Sequence, residues 1–124
     1  MLVRVLLCDD TPELRSLMRW ALERRDDVRV VAEAADGYEA VAQAAALEPE
    51  VVLLDLEMPG AAPAALIEGV RAAAPDAALV TFSGHDPALV AGTAAADIDL
   101  HLPKTTDLAH VASVVYELGS SRRR

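Results

Sequence analysis

Cysteine is nearly absent from this chain. Cys8 stands alone, so no intrachain disulfide can hold the fold, and a reducing, cytoplasmic setting is expected. Long apolar runs are missing too, and none approaches the ~20 residues that cross a bilayer. The opening Met1–Cys8 is interrupted by Arg4 and followed by two acids, which fits a strand rather than a signal peptide. Basic residues are scarce, with 11 Lys and Arg against 20 Asp and Glu, a net charge of −9. That balance argues against nucleic-acid binding by these residues, which needs a positive footprint. One Trp, two Tyr and one Phe leave no stacking platform for single strands. Lysine is as scarce as cysteine: every Lys or Arg is arginine except Lys104.

What is present is enough for one domain. At 124 residues the chain can bury about two-thirds of its unfolded surface, so no structural metal is needed. Strand-like apolar runs recur at Val3–Cys8, Val28–Ala34, Val51–Leu54, Ala78–Phe82 and Leu100–Leu102, starting roughly 22–27 residues apart. Each gap holds a helical pattern, which predicts βαβ units, five helices and a parallel sheet. Val51-Val52-Leu53-Leu54 is apolar throughout, as in a strand covered on both faces.

The first helix is predicted from Pro12, capped by Asp10 or Thr11, with Leu14, Leu17, Met18, Ala21 and Leu22 inward. The second follows Asp36-Gly37 with Val41, Ala44 and Ala45 inward, and the third runs from Pro63 to before Pro75. The fourth, from Pro87 to about Ala95, is rich in alanine and carries Gly92 and Thr93, so it has little bulk to bury. The fifth spans Asp107–Leu118, burying Leu108, Val111, Ala112 and Val115 and exposing His110, Val114 and Glu117. Residues 1–119 read as the domain and 120–124 as a basic tail or the start of a linker.

A doubly wound sheet binds ligands beyond the C-terminal ends of its strands. There the sequence puts Asp9 and Asp10 after the first strand, Asp55 after the third, Ser83 after the fourth and Lys104 after the fifth. The second strand ends in nothing distinctive. Taken singly, these residues have ordinary roles: Asp9 and Asp10 as helix caps, Asp55 and Ser83 as turn residues, Lys104 as a surface charge. Taken together, clustered carboxylates suit a hard cation such as Mg²⁺. Without it the acids repel, and at least one should have a raised pKa. A hydroxyl and a compact ammonium suit the oxygens of a transferred phosphoryl group.

Over Leu2 to about Leu118 the chain resembles the receiver domain of two-component response regulators. The matching stretches are Leu6-Leu7-Cys8-Asp9-Asp10, Val52-Leu53-Leu54-Asp55-Leu56-Glu57-Met58-Pro59-Gly60, Val80-Thr81-Phe82-Ser83-Gly84-His85-Asp86 and Leu102-Pro103-Lys104. The resemblance implies a flavodoxin-like, doubly wound five-stranded α/β fold with strand order 2-1-3-4-5. It implies that Asp55 is the phosphoacceptor. Asp9, Asp10, Asp55 and the backbone carbonyl of Glu57 would hold Mg²⁺, and Ser83 and Lys104 would contact the phosphoryl group. The donor would be the phosphohistidine of a sensor histidine kinase or a small phosphodonor. Outside its own phosphorylation and dephosphorylation, no enzyme activity is expected.

The chain departs from the family pattern in four places. His101 takes the position of an aromatic residue that turns inward on activation; it is either a switch, with Ser83, or an edge-strand histidine. Pro103-Lys104-Thr105 replaces a frequent Lys-Pro, so no cis bond is expected after Lys104. Asp97-Ile98-Asp99-Leu100-His101 and Ala61-Ala62-Pro63 replace the usual loop sequences. Glu57 and His85 sit two residues after Asp55 and Ser83; they either set phosphate lifetime or are solvated loop side chains. Trp20 is either half-buried core or part of a kinase-docking surface.

Ser83-Gly84-His85-Asp86 and Leu102-Pro103-Lys104-Thr105-Thr106-Asp107 look most like receivers of LuxR/NarL-type transcription regulators. DNA would then be bound through a C-terminal output domain. A homodimer could form through the fourth helix, fifth strand and fifth helix, or through the first and fifth helices. The main alternative is a phosphorylation-independent pseudo-receiver acting as a protein-interaction module. A haloacid-dehalogenase-type phosphatase would need Asp-x-Asp after the first strand, where Asp9-Asp10-Thr11-Pro12 has adjacent acids. A flavodoxin would need a Ser/Thr-Gly-rich phosphate loop there.

Overall fold

The computed structural model describes residues 2–84 and 94–122. Strands β1 (Val3–Cys8), β2 (Val28–Ala34), β3 (Val51–Leu54), β4 (Ala78–Ser83) and β5 (Leu100–Pro103) form one parallel sheet in the order β2-β1-β3-β4-β5. Among the described residues the helices are α1 (Pro12–Glu23), α2 (Gly37–Leu47), α3 (Pro63–Ala73) and α4 (Leu108–Ser121), with a 3-10 turn at Ala94–Asp97. The expected doubly wound fold and strand order are those observed. The helix expected from Pro87 lies outside the described residues, apart from Ala94 and Ala95, which open the 3-10 turn.

The sheet separates two cores. On one face Leu7, Leu53, Val80 and Phe82 pack against Met18 and Leu22 of α1 and Val111 and Val115 of α4. On the other, Leu6, Val52, Leu54 and Leu79 meet Ala40 and Ala44 of α2 and Leu66, Ile67 and Val70 of α3. Burying each large aliphatic side chain favours folding by about 1.5–3 kcal/mol, and strand alternation supplies both faces at once. β3 is covered on both sides, as its unbroken apolar run requires.

Two inward assignments are corrected. Leu17 is 48% exposed, because the core-facing arc of α1 is filled by Met18, Ala21 and Leu22. In α2, Ala45 is exposed and Ala40 lies inward with Ala44. Val41 packs on the same core, and alanine all round the helix is what blurs the position of Ala45.

Local chemistry sets the helix starts. Pro12 sits in the first turn of α1 after Thr11, whose side chain makes no cap bond. Asp36 caps α2 by accepting from the Glu39 backbone N–H at 2.8 Å, and Glu39 Oε1 accepts from the Ala35 N–H at 2.9 Å. Gly60 (φ 101°) turns the chain after Pro59, whose carbonyl accepts from the Gly37 N–H at 2.9 Å. The loop after β3 is thereby fastened to the start of α2.

Candidate functional site

β1 and β3 are neighbours in the middle of the sheet, with Cys8 paired to Leu54. The ladders on either side of β1 continue one residue further: the Asp55 N–H donates to the Cys8 carbonyl of β1 at 2.9 Å, and the Asp9 N–H to the Ala34 carbonyl of β2 at 3.0 Å. The backbone therefore aims both carboxylates at the same edge. Asp9 and Asp55 are 3% and 1% exposed, while Asp10 is exposed. One oxygen from each of the three lies within 4.8 Å of the others. Asp9 Oδ1 accepts from the Thr11 N–H and Asp55 Oδ1 from the Glu57 N–H, each at 2.9 Å.

A cation closes the arrangement. Lys104 Nζ lies 3.3 Å from Asp55 Oδ2, placed there by the pairing of Pro103 with Ser83. Ser83 is buried at the end of β4 on the same rim. The Asp9 pKa is raised, first by burial and then by Asp55 and Asp10, against the opposing Thr11 N–H and Lys104. Burial alone would lower the Lys104 pKa, but Asp55, Asp9 and Glu57 outweigh it and raise it. Beneath the rim, burial pushes the Cys8 thiol up, with Asp9 and Glu39 adding to the shift, so it stays a protonated packing group. The accessible donors are thus all oxygen, two of them on buried carboxylates that repel each other. That set fits a hard divalent ion with oxygen ligands, and Asp9, Asp10 and Asp55 are the residues able to hold one.

The remaining expected residues divide. Glu57 is exposed at the rim, where its Oε1 accepts from the Gly84 N–H at 3.1 Å, bridging the loop after β3 to the end of β4. His101 is half-buried and its Nδ1 lies 2.6 Å from Oγ1 of fully buried Thr81, its register partner on β4. His101 is thus a half-buried histidine on the edge strand that also makes a specific contact with β4. His85 lies outside the described residues. Trp20 is 58% exposed rather than half-buried core, with the Arg24 guanidinium 4.8 Å from its ring centroid. It borders a groove of about 590 Å³ between α1 and α4, lined also by Arg24, Arg25, Asp107 and Leu108. No peptide bond among the described residues is cis.

Two polar networks leave no mark in the sequence. Arg15 Nη1 donates to the Asp9 carbonyl at 2.8 Å while its Nε pairs with Glu33 Oε1 at 2.9 Å. Glu33 comes from the end of β2, the strand end that looked empty. Asp99, in the departing loop before β5, accepts from the Leu79 N–H at 2.7 Å and pairs with Arg71 and Arg122, each at 2.9 Å. Nothing in the spacing marks either network, since the ion pairs join residues 18 or more apart in sequence.

A parallel sheet in this order, with acids from its two central strands and a lysine after the last, defines a receiver-type α/β domain. The family model for the response regulator receiver domain matches residues 5–116. The chain belongs to that family. It is 36% identical to the protein-glutamate methylesterase/protein-glutamine glutaminase 5 of Myxococcus xanthus over 120 residues, 94% of this chain and 34% of that protein. It is 34% identical to the nitrate/nitrite response regulator protein NarL of Escherichia coli K12 over 79 residues, 64% of this chain and 37% of that protein. The chain thus spans little more than a third of the length of these curated relatives. Among solved structures it is similar to the signal receiver domain of a response regulator NarL from Mycobacterium tuberculosis (TM-score 0.83, 32% identity, 96% of this chain and 97% of that one). A LuxR-family response regulator from Aurantimonas sp. SI85-9A1 aligns with TM-score 0.84 and 28% identity over 99% of this chain and 89% of that one. No helix among the described residues is long and apolar enough to cross a membrane.

Proposed function

We propose that the domain is a phosphorylation-controlled switch in which Asp55 accepts a phosphoryl group from a sensor histidine kinase. The observation that carries this is the convergence of Asp9, Asp10 and Asp55 within 4.8 Å, with Lys104 Nζ 3.3 Å from Asp55 Oδ2. An Asp55 carboxylate oxygen attacks phosphorus, and the bond from phosphorus to the donor's imidazole nitrogen breaks, its electron pair leaving with the imidazole. With a small phosphodonor the broken bond is P–O. Lys104 balances the phosphoryl oxygens, Ser83 offers its hydroxyl to one, and the Glu57 N–H fixes the Asp55 carboxylate for attack. Asp9, Asp10, Asp55 and the Glu57 carbonyl would hold Mg²⁺, which when bound neutralises charge on the transferring oxygens.

Glu57 and His85 are the candidates for setting phosphate lifetime, and Ser83 and His101 for passing the change to β5. The relation to NarL-type regulators supports a cytoplasmic transcription regulator whose DNA contacts lie in an output domain. The exposed Trp20 and the groove between α1 and α4 support that face as a contact for the kinase or a second copy. Incubation with acetyl phosphate and Mg²⁺, followed by intact-mass measurement, tests the central step. One phosphoryl adduct is expected on the wild type and none on Asp55→Asn or in EDTA. An unlabelled wild type would leave the pseudo-receiver reading in its place.

A further inference from the structure

Asp10 is the weak point of the acidic cluster. Its side chain is exposed and makes no hydrogen bond among the described residues, so within its own rotamers the reach of its carboxylate is set by its backbone. That backbone is held from two sides. Asp9 Oδ1 accepts from the Thr11 N–H at 2.9 Å, and the Asp9 carbonyl, in the peptide that joins Asp9 to Asp10, accepts from Arg15 Nη1 at 2.8 Å. Arg15 is itself fixed by Glu33, whose other oxygen takes Arg19 Nη1 at 2.7 Å. Arginine can do this because its planar fork serves a carbonyl and a carboxylate at once.

We infer that Arg15, clamped by Glu33, is a positioning residue for the divalent-cation site: it orients the Asp9–Asp10 peptide and so presents the Asp10 carboxylate. The inference rests on the reading of Asp9, Asp10 and Asp55 as a Mg²⁺ site. Groups that orient metal ligands without touching the ion typically change affinity by about 10–100-fold when removed. Here the sign of the effect is diagnostic. Arg15 is a cation close to a cation site, so a bystander Arg15 would repel Mg²⁺, and its removal would tighten binding. A positioning Arg15 has the opposite consequence. Glu33 contributes in the same direction, both by holding the fork and by balancing its charge.

The test is calorimetric titration of the intact chain with Mg²⁺ alone, with thermal unfolding in EDTA run on each variant. Arg15→Gln is expected to weaken Mg²⁺ binding about tenfold, near 1.4 kcal/mol, and Glu33→Gln by a similar or smaller factor. Arg15→Lys should recover only part of the loss, because an ammonium cannot reproduce the fork. Arg19→Gln, which also contacts Glu33 but not Asp9, should stay within about twofold of wild type. Unchanged or tighter binding by Arg15→Gln overturns the inference, as does an equal loss in Arg19→Gln. A wild type that binds no Mg²⁺ instead removes the metal site on which it rests, and titration of the wild type alone tells these failures apart.

Discussion

Neutralising Asp9 should stabilise the metal-free domain and destabilise it relative to wild type once Mg²⁺ is present. Two unit charges 4.8 Å apart, the outer limit for these oxygens, repel by about 3.5 kcal/mol at an effective dielectric of 20 and about 0.9 kcal/mol in water. The Asp9–Asp55 pair is buried and belongs near the first value, whereas Asp10 is exposed and belongs near the second. Lys104 cancels part of this repulsion. Asparagine keeps an oxygen to accept the Thr11 N–H, although a neutral acceptor bonds more weakly than a carboxylate. The net expectation for Asp9→Asn in EDTA at neutral pH is a gain of about 1–2 kcal/mol, with Tm higher by roughly 3–8 °C. Saturation of the wild type at a hundred times the Mg²⁺ Kd adds about 2.7 kcal/mol, which the variant with one ligand fewer should largely forgo. Urea unfolding followed by circular dichroism, in EDTA and in Mg²⁺, should therefore show the order of stability reversing. A less stable Asp9→Asn in EDTA, or equal stabilisation of both proteins by Mg²⁺, would refute the account of the cluster as carboxylates held apart from water and awaiting a cation.

Two further outcomes concern the scaffold. A Cβ at Gly119 would overlap Val3 Cγ1 and lie 2.9 Å from Val51 Cγ2, both on fully buried valines at the start of their strands. Gly119→Ala should thus lose about 1–2 kcal/mol by overpacking despite alanine's better helix propensity, and a higher urea midpoint than wild type would contradict this. Burial raises the Asp99 pKa, but the Leu79 N–H, Arg71 and Arg122 outweigh it and hold it below the ordinary carboxylate range. A carboxylate with a depressed folded pKa stabilises above its unfolded pKa and loses that contribution as pH falls through the folded one. Asp99→Asn should accordingly cost about 1–2 kcal/mol near neutral pH, and the cost should shrink as pH falls below the ordinary carboxylate range, as read from unfolding free energies across pH.

The parts of this protein legible in its sequence are those set by nearby residues. β3 shows itself by four consecutive apolar residues, α1 by Pro12 and its stripe, and α2 by the Asp36 cap. Asp9, Asp10, Asp55 and Lys104 are legible for a related reason: in a parallel sheet each follows its strand directly, so strand order alone gathers them. Contacts between distant side chains leave no such trace. Arg15 looks like any solvent-facing arginine until Glu33 and the Asp9 carbonyl appear on either side of it. Asp99 reads as a departure in a loop, yet it joins β4, α3 and the end of α4. In α2, Val41 and Ala44 do face the core and only Ala45 does not, because alanine at Ala40, Ala44, Ala45 and Ala46 carries almost no directional signal.

The position of the acids within the sheet also explains how the fold tolerates them. Repulsion between Asp9 and Asp55 acts to spread the loops that follow β1 and β3. Each of those strands is hydrogen-bonded on both sides, β1 between β2 and β3 and β3 between β1 and β4. The Asp9 and Asp55 N–H groups extend these ladders by one bond beyond the strands, so spreading the carboxylates means breaking backbone bonds as well as unpacking two apolar layers. An acid after an edge strand would meet resistance from one neighbour only. Lys104 follows the edge strand β5, where it completes the site by attraction and does not need the same restraint. Like charges are therefore placed where the backbone is hydrogen-bonded on both sides, and the counter-charge comes from the edge, which leaves the central carboxylates held at the rim where the proposed divalent cation and phosphoryl group would sit.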